Sequence, residues 1–155
     1  MHNNPIFFLE ENSFSEEELN RTLDSGTVPQ NAISWAAEFG YVELTKKLIS
    51  LGANIRENIN YPLELACKNG HTEIVKMLIE AGAKTADSKA DEGYCLRMAA
   101  HHGYTEIVKM LLDAGADPTA DTYYALHLAL SKPRAQVVEL LLDAICKKRM
   151  QKKQK

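Results

Sequence analysis

The chain has 155 residues, of which 45% are hydrophobic and 25% are charged, and its formal net charge is −3. This composition is ordinary for a soluble globular protein and argues against a disordered chain or a membrane protein. Six of the 18 basic residues lie in residues 147–155, so the rest of the chain carries 12 basic and 21 acidic side chains. Such an acidic body is a poor candidate for wrapping nucleic acid, which favours a basic face.

The first predicted helix runs from about Ser15 to Ser25. Ser15 and Glu18 have the Ser-x-x-Glu spacing of a capping box, which satisfies backbone N–H groups at a helix start. Leu19 and Leu23 fall on one face among polar residues. We therefore predict that residues 1–30 form an N-terminal cap that covers the end of a larger apolar array.

One pattern then occurs four times. Residues 72–78 and 105–111 are identical, TEIVKML, and the surrounding sequence is similar too. The four copies occupy residues 39–54, 69–84, 102–117 and 132–147. They begin 30, 33 and 30 residues apart, and self-similarity at such a period indicates a repeat architecture.

Each copy predicts two helices joined by a turn. The first, inner helix is rich in small residues, such as Ala36–Ala37 and Ala99–Ala100, which allow close approach of a neighbour. The second, outer helix carries an apolar stripe, as at Ile107, Val108 and Leu111. Isolated helices shorter than about 12–15 residues are marginal in water, so the pairs must stack to be stable.

The fourth copy differs at its turn and is followed by basic residues. Pro133 replaces the turn glycine, so the inner helix should end near Ser131 or Lys132. We predict an outer helix over Ala135–Lys147. Residues 147–155 then have three interpretations: a solvated, disordered end, a nuclear localisation or nucleic-acid-binding segment, and, least favoured because an apolar face is lacking, a membrane-surface segment.

The repeat resembles a known family. The 33-residue period, the Leu-x-x-Ala-Ala-x-x-Gly-His stretch and the Glu-Ile-Val-Lys-x-Leu-Leu-x-x-Gly-Ala-Asp stretch resemble ankyrin repeats over about residues 31–147. The resemblance implies an all-α fold, an ankyrin-repeat solenoid of about four helix-turn-helix repeats with an N-terminal half-repeat cap. We expect one domain over residues 1–155, comprising the cap 1–30, repeats 31–56, 57–88, 89–121 and 122–147, and a basic tail 148–155.

The chain departs from the family pattern at the start of each inner helix. Tyrosines at 61, 94 and 124 stand where the family has the threonine of Thr-Pro-Leu-His, so the Thr–His hydrogen bonding implied by that motif is missing. The tyrosines recur in register, which predicts a stack across neighbouring repeats. Two segments between copies are three residues short, so the inter-repeat fingers there should be trimmed. Such short repeats resemble those of large DNA viruses.

The sequence lacks the patterns that chemistry requires. It has no Gly-rich phosphate loop, His-Glu-x-x-His, Gly-x-Ser-x-Gly or Cys-x-x-Cys. His101 and His102 are adjacent and point about 100° apart on a helix, so they are poorly placed to share a metal. Cys67 and Cys95 are predicted to be small buried residues, and Trp35 to be core. We expect no enzyme activity, no metal and no cofactor.

The resemblance implies a concave binding face built from the fingers and the exposed inner-helix positions. The candidate partner-binding residues of the fingers are Glu57, Asn58, Asp91, Glu92, Thr122 and Tyr123. Those of the inner-helix positions are Phe39, Lys68, Asn69, Arg97, His101, His102 and Lys132. Hot spots favour aromatic and arginine side chains, which places Tyr123 first, followed by Phe39 and Arg97. The alternatives are that Tyr123 packs against a neighbouring finger and that Phe39 contacts the N-terminal cap. Acidic finger residues favour a partner with a basic patch.

These observations predict a non-enzymatic protein–protein interaction module, an inhibitor or adaptor acting on a host or cellular protein. The alternative is a nucleic-acid-associated protein that uses the basic tail. Residues 6–9 are apolar but too few for a signal peptide or a membrane span. We expect an intracellular, cytoplasmic monomer without membrane attachment, and nuclear entry would depend on residues 147–155.

Overall fold

The computed structural model describes residues 16–26, 28, 31–55, 61–83 and 93–154, which form nine helices and no strand. The helices are α1 (Glu16–Asp24), α2 (Ala32–Phe39), α3 (Val42–Ser50), α4 (Tyr61–Asn69), α5 (Thr72–Glu80), α6 (Tyr94–His102), α7 (Thr105–Asp113), α8 (Ala120–Leu130) and α9 (Ala135–Lys153). The predicted all-α class is confirmed, because four helix-turn-helix pairs follow α1 in the order that the repeats predict.

The chain divides into two units, residues 1–83 and 84–155. In the first unit, inner helix α2 packs on inner helix α4, and each inner helix packs on its own outer helix, α3 or α5. In the second unit, α6 packs on α8 in the same way, with α7 and α9 as the outer helices. Helix α1 precedes the first pair, and the Lys47 ammonium lies 2.7 Å from the Asp24 carboxylate, which links α1 to α3.

Each core is built from small inner-helix residues and long outer-helix residues. In the first unit, Ala36, Ala37 and Ala66 are fully buried between inner helices, and Leu48 and Leu78 fill the space behind them. In the second unit the corresponding side chains are those of Ala99, Ala100, Ile107, Leu111 and Leu141. Burial of one such leucine or isoleucine contributes about 1.5–3 kcal/mol relative to exposure, so the apolar stripes stabilise each pair against its neighbour.

Helix α8 corrects one predicted placement. It begins at Ala120, directly after the turn at residues 117–119, so Thr122 and Tyr123 lie in its first turn and not in a finger. The finger between the third and fourth repeats was predicted to be trimmed. The segment between α7 and α8 is shorter than that and leaves no room for a finger. Helix α8 ends at Leu130, one residue before the predicted end near Ser131 or Lys132 and three residues before Pro133.

Helix α9 also differs from its prediction, because it continues from Lys147 to Lys153. The structure therefore has helix where the first interpretation of residues 147–155 was a disordered end. Lysine, arginine, methionine and glutamine are good helix formers, and basic residues favour the negative end of the helix dipole. At the other terminus, α1 begins at Glu16, and the predicted capping serine, Ser15, lies outside the described residues.

Candidate functional site

The first unit exposes a surface at the ends of inner helices α2 and α4. We call it the first patch, comprising Phe39, Lys68 and Asn69, and all three side chains are exposed. The Asn69 amide nitrogen Nδ2 donates a hydrogen bond to the carbonyl oxygen of Glu38 at 3.2 Å. Because the last carbonyls of a helix lack partners within it, this bond caps α2 from the next repeat. Among the described residues predicted for this unit, the hydrogen bond places Asn69 at the end of α2, next to Phe39.

His71 binds the same carbonyl. Its Nε2 lies 3.0 Å from the Glu38 oxygen, and since a carbonyl accepts, the ring proton belongs on Nε2. The ring also lies over Gly40, where an added Cβ would be 2.6 Å from Cε1. Gly40 has φ +80°, so glycine is required there both for the backbone conformation and for the close approach. His71 therefore has a structural role, since it caps the end of α2 and covers the turn that follows.

An aromatic cluster supports the first patch. The Trp35 ring centroid lies 4.9 Å from that of Tyr41, with the planes 25° apart, and 5.2 Å from that of Phe39. Trp35 is half-buried, so the prediction that it belongs to the core is wrong, and its ring instead lies beneath Phe39. Phe39 is 56% exposed while packed on two other rings. This surface aromatic is held in place by its neighbours.

The second unit has an equivalent surface at the ends of α6 and α8. We call it the second patch, comprising His101, His102 and Lys132. The His102 ring stacks on Tyr104, with centroids 5.4 Å apart and planes 17° apart. His101 meets His102 edge-on, 4.9 Å between centroids and 86° between planes. His102 and Tyr104 flank the turn at Gly103 as Phe39 and Tyr41 flank the earlier turn, so the two patches share one local design.

Arg134 takes the place of His71 in the second unit. It follows the α8–α9 turn, and its Nη1 donates to the carbonyl oxygen of His102 at the end of α6. Its guanidinium also lies over Gly103, at the position where a Cβ would stand. In both units, therefore, a cationic or polar side chain after the second turn caps the preceding inner helix. The sequence signal is the position after the turn residue, occupied by histidine in one repeat and arginine in another.

The Arg97 side chain packs within the second unit and is not an exposed cation. Its side chain is only 17% exposed, and its Nη1 lies 3.1 Å from Oδ2 of Asp121. Its Cζ atom lies 5.9 Å from the Tyr94 ring centroid and 5.8 Å from that of Tyr124. Two of the recurring tyrosines thus meet through one guanidinium, which joins α6 to α8. This cluster stands where the family's Thr–His pairing would be.

Tyr123 has an unusual backbone. Its φ is +65°, and Gly93, at the same position of the preceding repeat, has φ +92°. A left-handed conformation costs a residue with a side chain about 1–2 kcal/mol. The fourth repeat therefore places a half-buried tyrosine where the third uses glycine. Strained residues of this kind persist where their surroundings hold them.

A polar cluster that the sequence did not predict joins the α7–α8 turn to α9. The Thr119 N–H and Oγ1 donate to Oδ1 of Asp117 at 2.8 and 2.7 Å, and Lys148 pairs with Oδ2 of the same carboxylate. Lys148 also donates to Thr119 Oγ1 at 3.1 Å. Burial alone would raise the pKa of Asp117, but the hydrogen bonds from Lys148 and Thr119 outweigh it and lower the pKa. The Asp-x-Thr spacing is the one available sequence signal.

Several predicted binding residues cannot be placed in either patch. Glu57, Asn58, Asp91 and Glu92 lie outside the described residues, as does the side chain of Thr122. The predicted acidic finger surface therefore stays a prediction.

A metal site needs several ligand side chains close together. Among the described residues, no group of three or more His, Cys, Asp or Glu side chains could hold a metal ion. Cys67 and Cys95 are buried, as predicted, and Cys146 is exposed on α9. Within the same part of the chain, no helix combines the length and apolar character that crossing a membrane requires.

Paired helices whose inner members stack and whose turns recur in register define an all-α repeat protein. A family model described as "Ankyrin repeats (3 copies)" matches residues 7–89 and 84–152. The chain therefore belongs to the ankyrin-repeat family, and the resemblance drawn from the repeat is confirmed. Ankyrin repeats are protein–protein interaction modules.

Proposed function

We propose that this protein is a non-enzymatic interaction module that binds a folded protein through the first and second patches. It would act as an inhibitor or adaptor on a cellular or host protein, and the likeness of its short repeats to those of large DNA viruses favours a host target. The observation that carries the proposal is the exposed Phe39 ring, packed on Trp35 and Tyr41.

Phe39 has the properties of an interface hot spot. Its ring offers a large apolar surface to a partner, and few residues of that kind carry most of the energy of an interface. Because Trp35 and Tyr41 already limit its rotamers, binding would order little additional side chain. The two neighbouring α4 residues, Lys68 and Asn69, supply a polar rim, and Asn69 is itself held by Glu38.

The second patch supports the same function with different chemistry. His102 stacked on Tyr104 offers a flat, partly polar surface, and Lys132 adds an exposed cation after α8. Acidic residues predicted for the fingers, such as Asp91 and Glu92, favour a partner with a basic patch, because complementary charge speeds association. The cytoplasm is the proposed site of action.

A capture experiment tests the first patch. Wild-type protein, Phe39→Ala and a matched control, Leu51→Ala, would be used to isolate partners from a lysate and then titrated against each partner. Leu51 is a similarly exposed apolar residue that follows outer helix α3, away from the inner-helix ends. We expect Phe39→Ala to weaken binding by at least about tenfold, the effect of a modest hot spot, with Leu51→Ala near wild type. Partners that bind Phe39→Ala and His102→Ala with unchanged affinity would contradict the proposal.

The nucleic-acid alternative depends on the exposed cations at the end of α9. Lys147, Arg149, Lys152 and Lys153 are exposed, whereas Lys148 is engaged by Asp117. A mobility-shift assay with DNA and RNA, comparing the full chain with a variant in which these four residues are glutamine, separates the two functions. A shift that needs the four cations, together with failure to capture any protein, would favour the alternative.

A further inference from the structure

One face of α9 is left exposed along the whole helix. Val137, Leu141 and Ile145 are buried on the side that packs within the second unit. The opposite side is formed by Ala135, Glu139, Leu142, Asp143, Cys146, Arg149, Met150 and Lys153, all of which are exposed. We call these eight residues the α9 face.

The centre of the α9 face is apolar. Leu142 and Met150 are 46% and 67% exposed, and they lie one helical turn on either side of Cys146. At about 100° per residue, their side chains point within about 40° of the Cys146 direction. Residues four apart on a helix are neighbours, so the three side chains form one continuous stripe.

The charges around this stripe change sign along the helix. Glu139 and Asp143 precede Cys146, whereas Lys147 and Lys153 follow it, and all four side chains are exposed. Glu139 and Lys153 stand at equal distances of seven residues from Cys146 and within about 20° of its direction. In a second α9 that runs antiparallel to the first, basic residues therefore lie opposite the acidic ones. The α9 face is thus complementary in charge to a second copy of itself.

We infer that α9 docks on α9 of a second copy of this chain in an antiparallel, two-fold arrangement centred on Cys146. Leu142 then packs against Met150 of the second copy, and Glu139 pairs with Lys153 of the second copy. Asp143 lies beside Lys147 of the second copy on one flank. Each contact occurs twice, as a two-fold interface requires, and a parallel arrangement would place like charges together.

Because the interface is small, we expect a weak dimer whose population rises with protein concentration. A single pair of helices buries less than the roughly 1,200–2,000 Å² of a standard stable interface. The inference departs from the expected monomer and goes beyond the proposed function, since neither patch belongs to the α9 face. A dimer would carry each patch twice, which strengthens binding to a repetitive or dimeric partner through avidity.

A charge-swap series measured by sedimentation equilibrium on the reduced full chain tests the arrangement. Glu139→Lys and Lys153→Glu should each weaken dimerisation by about tenfold, because two attractive surface pairs become repulsive. The double variant Glu139→Lys with Lys153→Glu should restore the wild-type dimer. Glu73→Lys, an equal charge change at an exposed residue of α5, is the control and should dimerise normally. Monomers at every concentration, or no rescue by the double variant, would overturn the inference.

Cross-linking tests the centre of the interface. A bis-maleimide with a short spacer should join two copies through Cys146, because the other two cysteines are buried. Cys146→Ser should abolish the product, and Leu142→Asp should reduce it while circular dichroism stays unchanged. A dimer seen in sedimentation that does not cross-link through Cys146 would place the contact elsewhere and overturn the inference. Capture of the proposed partner by a monomeric Leu142→Asp variant keeps the two proposals separate.

Discussion

The His71 imidazole donates from Nε2 to the Glu38 carbonyl oxygen, 3.0 Å away, while its ring covers the turn between α2 and α3. One side chain thus satisfies the end of an inner helix and packs against the preceding repeat. Arg134 does the same for the end of α6 with different chemistry. The contacts between repeats in each unit therefore include side chains that reach back from the second turn, as well as apolar burial.

His71→Ala should destabilise the protein. The change leaves the Glu38 carbonyl with one protein donor, Asn69, and removes the ring from Gly40. Loss of a partly exposed hydrogen bond together with its packing should lower the free energy of unfolding by about 1–2 kcal/mol. Urea denaturation followed by circular dichroism measures this. Thr72→Ala, a change at an adjacent exposed residue, should have a smaller effect, and equal losses would argue against the role assigned to His71.

Gly40→Ala and Gly52→Ala separate backbone strain from close approach. The two glycines have φ of +80° and +79°, so an alanine at either one costs about 1–2 kcal/mol in the left-handed region. Only at Gly40 does the added Cβ meet another side chain, the His71 ring, whereas at Gly52 it meets nothing within 4 Å. We expect Gly40→Ala to be the more destabilising in urea unfolding. When His71→Ala is combined with Gly40→Ala, most of the additional destabilisation caused by the close approach should disappear.

Arg97→Lys should not behave as a conservative change. A lysine keeps the charge that faces Asp121 but loses the planar group that lies near the rings of Tyr94 and Tyr124. Each such cation–π contact contributes roughly 0.5–1 kcal/mol or more when partly desolvated. The unfolding free energy should fall by about 1 kcal/mol or more, and an Arg97→Lys variant as stable as wild type would contradict the cluster. Lys132→Arg, an exposed change in the same unit, is the control.

Tyr123 should tolerate glycine better than valine. Its φ of +65° suits glycine, which occupies the corresponding position as Gly93, and is poorly accessible to β-branched residues. Tyr123→Gly should stay within about 1 kcal/mol of wild type, because relief of backbone strain offsets the lost side-chain packing. Tyr123→Val should be less stable than Tyr123→Gly in thermal unfolding. The opposite order would show that the ring contacts outweigh the backbone conformation.

The repeat predicted the helices because their signals are local. The apolar stripe at Ile107 and Leu111, the alanine pairs and Pro133 each act within one or two helical turns, and the structure places all of them as expected. The exposure of Phe39 and His102 was also predictable, because the family resemblance implies exposed inner-helix positions just before the turn glycine.

The contacts between repeats were much less predictable. An exposed-looking cation such as Arg97 can face solvent, a partner or a tyrosine two helices away, and only the three-dimensional neighbours decide among them. The prediction for Trp35 was wrong for the same reason. The sequence does not distinguish a tryptophan in a surface cluster of rings from a tryptophan in the core. The extension of α9 lies beyond Ile145, the last buried apolar residue of the helix, so the core-facing periodicity gives no signal there and helix propensity decides.

The Asp117–Lys148 pair should make stability depend on pH in the acidic range. Hydrogen bonds from Lys148 and Thr119 lower the pKa of Asp117 below its ordinary value of 3.8, despite an opposing effect of burial. A carboxyl whose pKa is lower in the folded state stabilises the fold above its unfolded pKa, and that contribution is lost as the pH falls through the folded pKa. Wild-type protein should therefore lose more stability than Asp117→Asn between neutral pH and the region below 3.8. Urea unfolding at a series of pH values measures both slopes, with Asp113→Asn on the exposed side of α7 as the control. Identical pH slopes for wild type and Asp117→Asn would contradict the stabilising role assigned to the Asp117–Lys148 pair.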